Sequence, residues 1–103
     1  MLESIWDIWS FIKGVSKEDL MKNKEKLNAT VRSIEIIGEA AKSIPESFKS
    51  KHPEILWKEI IGTRDVLIHH YFGIDANILW NIIVKDLPVL EKQLVQIRDT
   101  LEE

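Results

Sequence analysis

The chain has no cysteine, which excludes disulfide staples, thiolate-ligated zinc and a cysteine nucleophile together. Residues that break regular structure are scarce too. With 4 Gly and 3 Pro among 103 residues, loop-rich, collagen-like and disordered chains are excluded. An excess of positive charge is also missing: 14 Lys and Arg stand against 17 Asp and Glu, a net charge of -3. The broad basic footprint of a non-specific nucleic-acid binder is therefore absent, and any contact with nucleic acid is local or supplied by a partner. No stretch approaches the roughly 18 uninterrupted apolar residues of a membrane span. The opening MLESIWDIWSFIKG carries acids where a signal peptide carries bases. A cytoplasmic protein with no membrane partner is expected.

What is present is a helical text. The chain is 45% hydrophobic and 30% charged, one domain over residues 1–103 with enough apolar side chains for a core. Between Gly14, Pro45, Pro53, Gly62, Gly73 and Pro88 every segment has helical period and none alternates like a strand. The expected fold is all-α, an up-and-down bundle of four to five helices.

The first helix is expected over about Leu2 to Lys13, with Leu2, Ile5, Trp6, Trp9 and Ile12 on one face, stopping at Gly14. Ser16 with Asp19 reads as a capping box opening a short turn. The next helix, about Lys24 to Ser43, places Leu27, Val31, Ile34, Ile37, Ala41 and Ile44 on one face and leaves a narrow polar stripe that includes Arg32, Glu35 and Glu39. That stripe reads either as a solvated face with intrahelical ion pairs or as the wall of a cleft. A turn and a short helix from near Pro53 are expected next, then a separate helix from Arg64 to about Tyr71, capped by Thr63 and divided from the former by Gly62. The last element starts after Asp75, with a kink or restart at Asp86 and Pro88. Its seam runs through Leu79, Ile83, Leu87, Leu90, Leu94, Ile97 and Leu101, while Ile78, Trp80, Ile82, Val84 and Val89 lie off it. That surplus fits a second buried surface in a homodimer, or a helix sandwiched inside one bundle.

Chemistry concentrates in eight residues. On a helix, Tyr71 falls seven positions after Arg64 and shares its face, while Asp65 and His69 form an i, i+4 pair. His69 is a candidate general base or acid, Asp65 its orienting partner, and Arg64 a phosphate clamp with a fixed fork of donors. The plainer reading is a surface helix with a salt bridge. His70 reads as a packed histidine and His52 as loop surface. Adjacent His69 and His70 point about 100° apart on a helix and cannot readily share an ion. Without HExxH, an Asp-rich loop, GxSxG or a phosphate loop, neither metal nor cofactor is expected.

RDVLIHHYFG, with Arg64, four residues, His69, one residue and Tyr71, resembles the motif of the HepT-like HEPN toxins paired with minimal nucleotidyltransferase antitoxins. The resemblance extends through SIEIIGEAAKSIP and KHPEILWKEIIGTRDVLIHHYFGIDANILWNIIVKDLPVLEKQL, from about Ile34 to Leu94. It implies a HEPN helical bundle in a homodimer, with the Arg64 and His69 motifs of both subunits meeting in one cleft. It implies a metal-independent endoribonuclease toxin acting on tRNA or mRNA, neutralised when a nucleotidyltransferase antitoxin transfers AMP from ATP to Tyr71. Glu35 and Glu39 become candidates for the opposite wall of the cleft. Two copies of His69 would let one accept a proton from the 2′-OH while the other donates to the leaving 5′-oxygen, with Arg64 holding the developing charge. The chain departs from the family at Asp65, where Asn is frequent, an acid beside the phosphate site. Asp65 and the net negative charge leave a second reading, a non-catalytic HEPN module that binds a nucleotide or a partner, and a third, a purely structural dimer.

Overall fold

The computed structural model describes residues 1–68 and 75–102, apart from the side chains of Arg64, Ile68 and Glu102. The candidate residues His69 and Tyr71, and with them the Asp65–His69 pair, lie outside the described residues. Helices α1 (Leu2–Ile12), α2 (Lys17–Lys22), α3 (Lys24–Ser43), α4 (Glu46–Lys51), α5 (Trp57–Ile68), α6 (Ala76–Asn81) and α7 (Leu87–Glu102) follow in order, with a π-helical turn over Ile82–Asp86 joining the last two. Among the described residues there is no strand.

Local chemistry sets the helix ends. Gly14, at φ 72°, takes the left-handed position after α1 that a side chain would strain. Ser16 Oγ accepts from the Asp19 amide at 3.1 Å to open α2, and Asn23 Oδ1 does the same from the Lys26 amide for α3. Asp75 opens α6 by accepting from the Asn77 and Ile78 amides at 2.9 and 3.0 Å. Pro88 has no amide to donate to the carbonyl of Val84, so the regular ladder is interrupted there. The Leu87 amide reaches back five residues to the Ile82 carbonyl, which makes the turn π-helical.

The central element is α3, which packs against α1, α2 and α5, while α7 packs on α1. Ile5 and Ile8 of α1, Ile34, Ile37 and Ala41 of α3, Leu67 of α5 and Leu79, Ile83, Leu87 and Leu90 of the C-terminal run form the buried core. Trp6 departs from the expected face. It is 43% exposed, and Ile8 is buried instead. Trp6 is held at the surface by its indole N–H, which donates to Glu91 Oε2 at 2.9 Å, as does the indole of Trp9 at 2.8 Å. One carboxylate thereby ties α1 to α7.

The division at Gly62 does not occur. Helix α5 runs from Trp57 through Gly62 and Thr63 to Ile68, so the helix expected near Pro53 and the one expected from Arg64 are a single element. Thr63 caps nothing: its hydroxyl donates to the Glu59 carbonyl at 2.8 Å, four residues back. The glycine that matters is Gly38, buried in α3. A Cβ there would lie 3.2 Å from the Ile60 carbonyl oxygen and 3.7 Å from that of Ile61, so its bare backbone lets α3 and α5 cross closely. Packing against α3 holds α5 in one piece despite the low helix propensity of Gly62.

Candidate functional site

Arg64 occupies α5 one turn after Ile60 and Ile61, the residues whose carbonyls meet Gly38. Glu35 and Glu39 flank the same crossing on α3, within about one turn of Gly38. The close approach shown is between the α3 backbone at Gly38 and the α5 backbone at Ile60 and Ile61. The two glutamates have a partner on their own helix: Arg32 Nη1 lies 3.3 Å from Glu35 Oε2 and 3.5 Å from Glu39 Oε1. With the Arg32 and Glu39 side chains 59% and 56% exposed, this is a solvated intrahelical network worth little in stability. Glu35, at 19%, is the member nearest the packed face. Asp65 is exposed and makes no ion pair among the described residues.

The two flanks of α5 differ. On one, Leu56, Ile60 and Val66 join Ile34, Ile78 and Val89 around an open groove of about 540 Å³, with Glu54, Glu59, Lys85 and Asp86 among its polar lining. Leu56, Val66 and Val89 are 63%, 48% and 58% exposed, so three uncovered aliphatic side chains share one groove. The surplus apolar residues of the C-terminal run divide here. Ile82 is buried and Ile78 and Trp80 pack partly on the core, whereas Val84 and Val89 stay exposed. Much of the surplus thus belongs to the chain's own bundle, and a smaller exposed set remains.

On the other flank, Trp57, Lys58 and Ile61 of α5 face Glu46, Lys49 and Ser50 of α4 across a hollow of about 400 Å³. Its floor is rigid. Trp57 is buried, donates its indole N–H to the His52 carbonyl at 3.0 Å, and packs edge-on against Phe48 at 6.4 Å between ring centroids. His52 lies in a loop as expected but is half-buried, its ring tilted at 41° against Phe48 with 4.6 Å between centroids. Arg64 lies one turn beyond Ile61 on the flank that carries Trp57 and Ile61, roughly 160° from Val66 at about 100° per residue. Sequence reasoning passed over both the hollow and the groove. The hollow had a signal in Lys49 and Lys58 on either side of the Pro53 turn; Leu56 and Val66 had none, because their exposure depends on how α6 and α7 sit.

The chain matches the HepT-like family, described as "Ribonuclease HepT-like", over residues 1–97. The chain belongs to the HepT-like family. Among its relatives, a protein of Caldanaerobacter subterraneus subsp. tengcongensis named as a candidate RNase is 51% identical over 86 residues, 84% of this chain and 77% of that one. A "Probable ribonuclease HepT" of Thermococcus cleftensis is 43% identical over 96 residues, 93% of this chain and 87% of the relative. No solved structure matches the chain. Among the described residues of this HepT-like chain, no group of three or more His, Asp and Glu is arranged to hold a metal ion, and no helix is long and apolar enough to cross a membrane.

Proposed function

We propose that this chain is the toxin of a toxin–antitoxin pair, a metal-independent endoribonuclease that cleaves tRNA or mRNA in the cytoplasm. The observation that carries the reading is an intact Arg64, His69 and Tyr71 motif in a chain of a ribonuclease-described family, with Arg64 on a helix locked against α3 at Gly38. The crossing at Gly38 sets where residue 64 of the backbone stands relative to α3, and a donor held in place stabilises developing charge without reorganising. His69 of one subunit accepts the 2′-OH proton, the partner copy donates to the leaving 5′-oxygen, and Arg64 neutralises the transition-state phosphorane.

The partner in this reading is a second copy of the chain, seated on the apolar groove. Exposed Leu56, Val66 and Val89 line it, and α5 is only about 10 Å across. Tyr71 takes AMP from ATP with release of pyrophosphate, catalysed by a nucleotidyltransferase antitoxin. The added phosphodiester carries negative charge into the cleft, competes with RNA for Arg64 and silences the nuclease.

The test is digestion of total RNA by the purified protein in excess EDTA, wild type against His69→Ala. Cleavage by the wild type and none by the variant is expected; equal cleavage, or none by either, overturns the nuclease assignment. For the modification, intact mass of protein co-expressed with the nucleotidyltransferase should rise by AMP increments that vanish in Tyr71→Phe.

A further inference from the structure

The chain is acidic overall, so an RNA-cleaving site needs a local source of positive charge beyond Arg64. The groove flank of α5 does not provide it, since Glu54, Glu59 and Asp86 outnumber Lys85 there. The opposite hollow has the other balance, with Lys49 and Lys58 against Glu46. Lys49 is largely sheltered, its side chain 11% exposed, and its ion pair with Glu46 spans 3.8 Å to a carboxylate on an 88% exposed side chain. Such a pair is weak and easily displaced. Lys58 is exposed and has no ion-pair partner among the described residues. Ser50 adds a hydroxyl to the same lining, and the buried Trp57 makes part of it apolar. Along α5 the distance from Lys58 to Arg64 is six residues, about 9 Å at 1.5 Å per residue.

We propose that Lys49 and Lys58, together with Ser50, form a phosphate-binding subsite that holds the sugar-phosphate backbone of single-stranded RNA as it extends from the Arg64 position along α5. The inference rests on the ribonuclease reading above. The lysines act as point charges on phosphate, which gives affinity and register without base preference. Glu46 repels the same phosphates and holds the affinity down. The local charge thus reconciles an acidic chain with an RNA substrate, because a strand on the hollow side of α5 meets Lys49 and Lys58 against Glu46.

The experiment is the salt dependence of binding of a labelled mixed-sequence single-stranded RNA oligonucleotide to the His69→Ala protein, which binds without cutting. Adding Lys49→Gln and Lys58→Gln should raise Kd severalfold and reduce the slope of log K against log salt by about 1.4, near 0.7 for each single-strand phosphate no longer neutralised. Lys24→Gln with Lys92→Gln, on α3 and α7, should leave the slope unchanged, and Glu46→Gln should tighten binding. In the active protein the lysine substitutions should raise KM and leave kcat alone. Because Lys49 is partly buried, Lys58→Glu alone serves as the second variant, with thermal melting to check folding; it should weaken binding more than Lys58→Gln. RNA binding by the parent with an unaltered slope in the lysine variants overturns the subsite and leaves the nuclease reading standing. An equal loss from the Lys24 and Lys92 controls overturns it as diffuse charge, and unaltered RNA binding with lost antitoxin binding reassigns the lysines to a protein partner. No RNA binding by the parent overturns both.

Discussion

The two flanks of α5 are separated by the width of one helix and differ in chemistry. The groove flank is aliphatic and acid-rimmed, with Leu56, Val66 and Val89 uncovered. The hollow flank is floored by buried Trp57 and edged by Lys49 and Lys58, and its Ile61 stands one turn before the position of Arg64. Apolar surface with acids suits a protein and repels phosphate, whereas cations around a rigid floor suit phosphate and contribute little to a protein core. A single helix can therefore serve an interface and a substrate at once, provided its two sides keep different chemistry. Dimerisation and RNA binding should then fail separately when each side is altered.

The largest expected effect is on the chemistry itself. His69→Ala should lower the cleavage rate by about 10²–10⁴-fold, the range of a lost general acid–base, with no change in dimer mass by sedimentation. Next is Gly38→Val, which forces a branched side chain towards the Ile60 carbonyl oxygen now 3.2 Å from where a Cβ would sit. Overpacking of this kind costs about 2 kcal/mol, and because the crossing supports both flanks, denaturant melts and activity should decline together. Smaller is the pair Leu56→Asp and Val66→Asp on the groove flank. Charges placed in an aliphatic interface should weaken the dimer at least about tenfold, a cost of about 1.4 kcal/mol or more, and reduce cleavage at low protein concentration while the monomer's melting temperature stays put. An unchanged dimer would remove the groove from the interface.

The smallest effect lies away from α5. Glu91 accepts from two indoles, Trp6 and Trp9, and its loss should cost about 1 kcal/mol, since each hydrogen bond at a partly exposed site contributes modestly. Glu91→Ala should shift the urea midpoint and blunt the tryptophan fluorescence change on unfolding. Cleavage per folded molecule should be unaffected, and a loss of activity there would blur the contrast between α5 and the rest.

The long helices were legible because their signals are local. Lys24 to Ser43 is bounded by an Asn cap and a proline and carries its apolar stripe in register, and the structure places α3 over the same residues. The restart at Pro88 was legible for the same reason, as a missing amide. The continuity of α5 was not, since Gly62 and Thr63 punctuate on paper and only the close crossing at Gly38 overrides them. The exposed face of Leu56 and Val66 was illegible too, because exposure is a property of neighbours rather than of spacing. Of the candidate site, Arg64 is placed on α5 and Glu35 and Glu39 are taken up by Arg32, a pairing that i, i+3 and i, i+7 spacing already allowed. His69 and Tyr71 remain assigned through the motif.

The most direct test of a two-histidine, metal-independent ribonuclease is the chemistry of its product ends. Mass spectrometry of RNA fragments made in excess EDTA should find 2′,3′-cyclic phosphates paired with 5′-hydroxyls, the outcome of attack by a deprotonated 2′-OH and protonation of the leaving 5′-oxygen. Fragments bearing 5′-phosphates, or cleavage that stops with chelation, would contradict it.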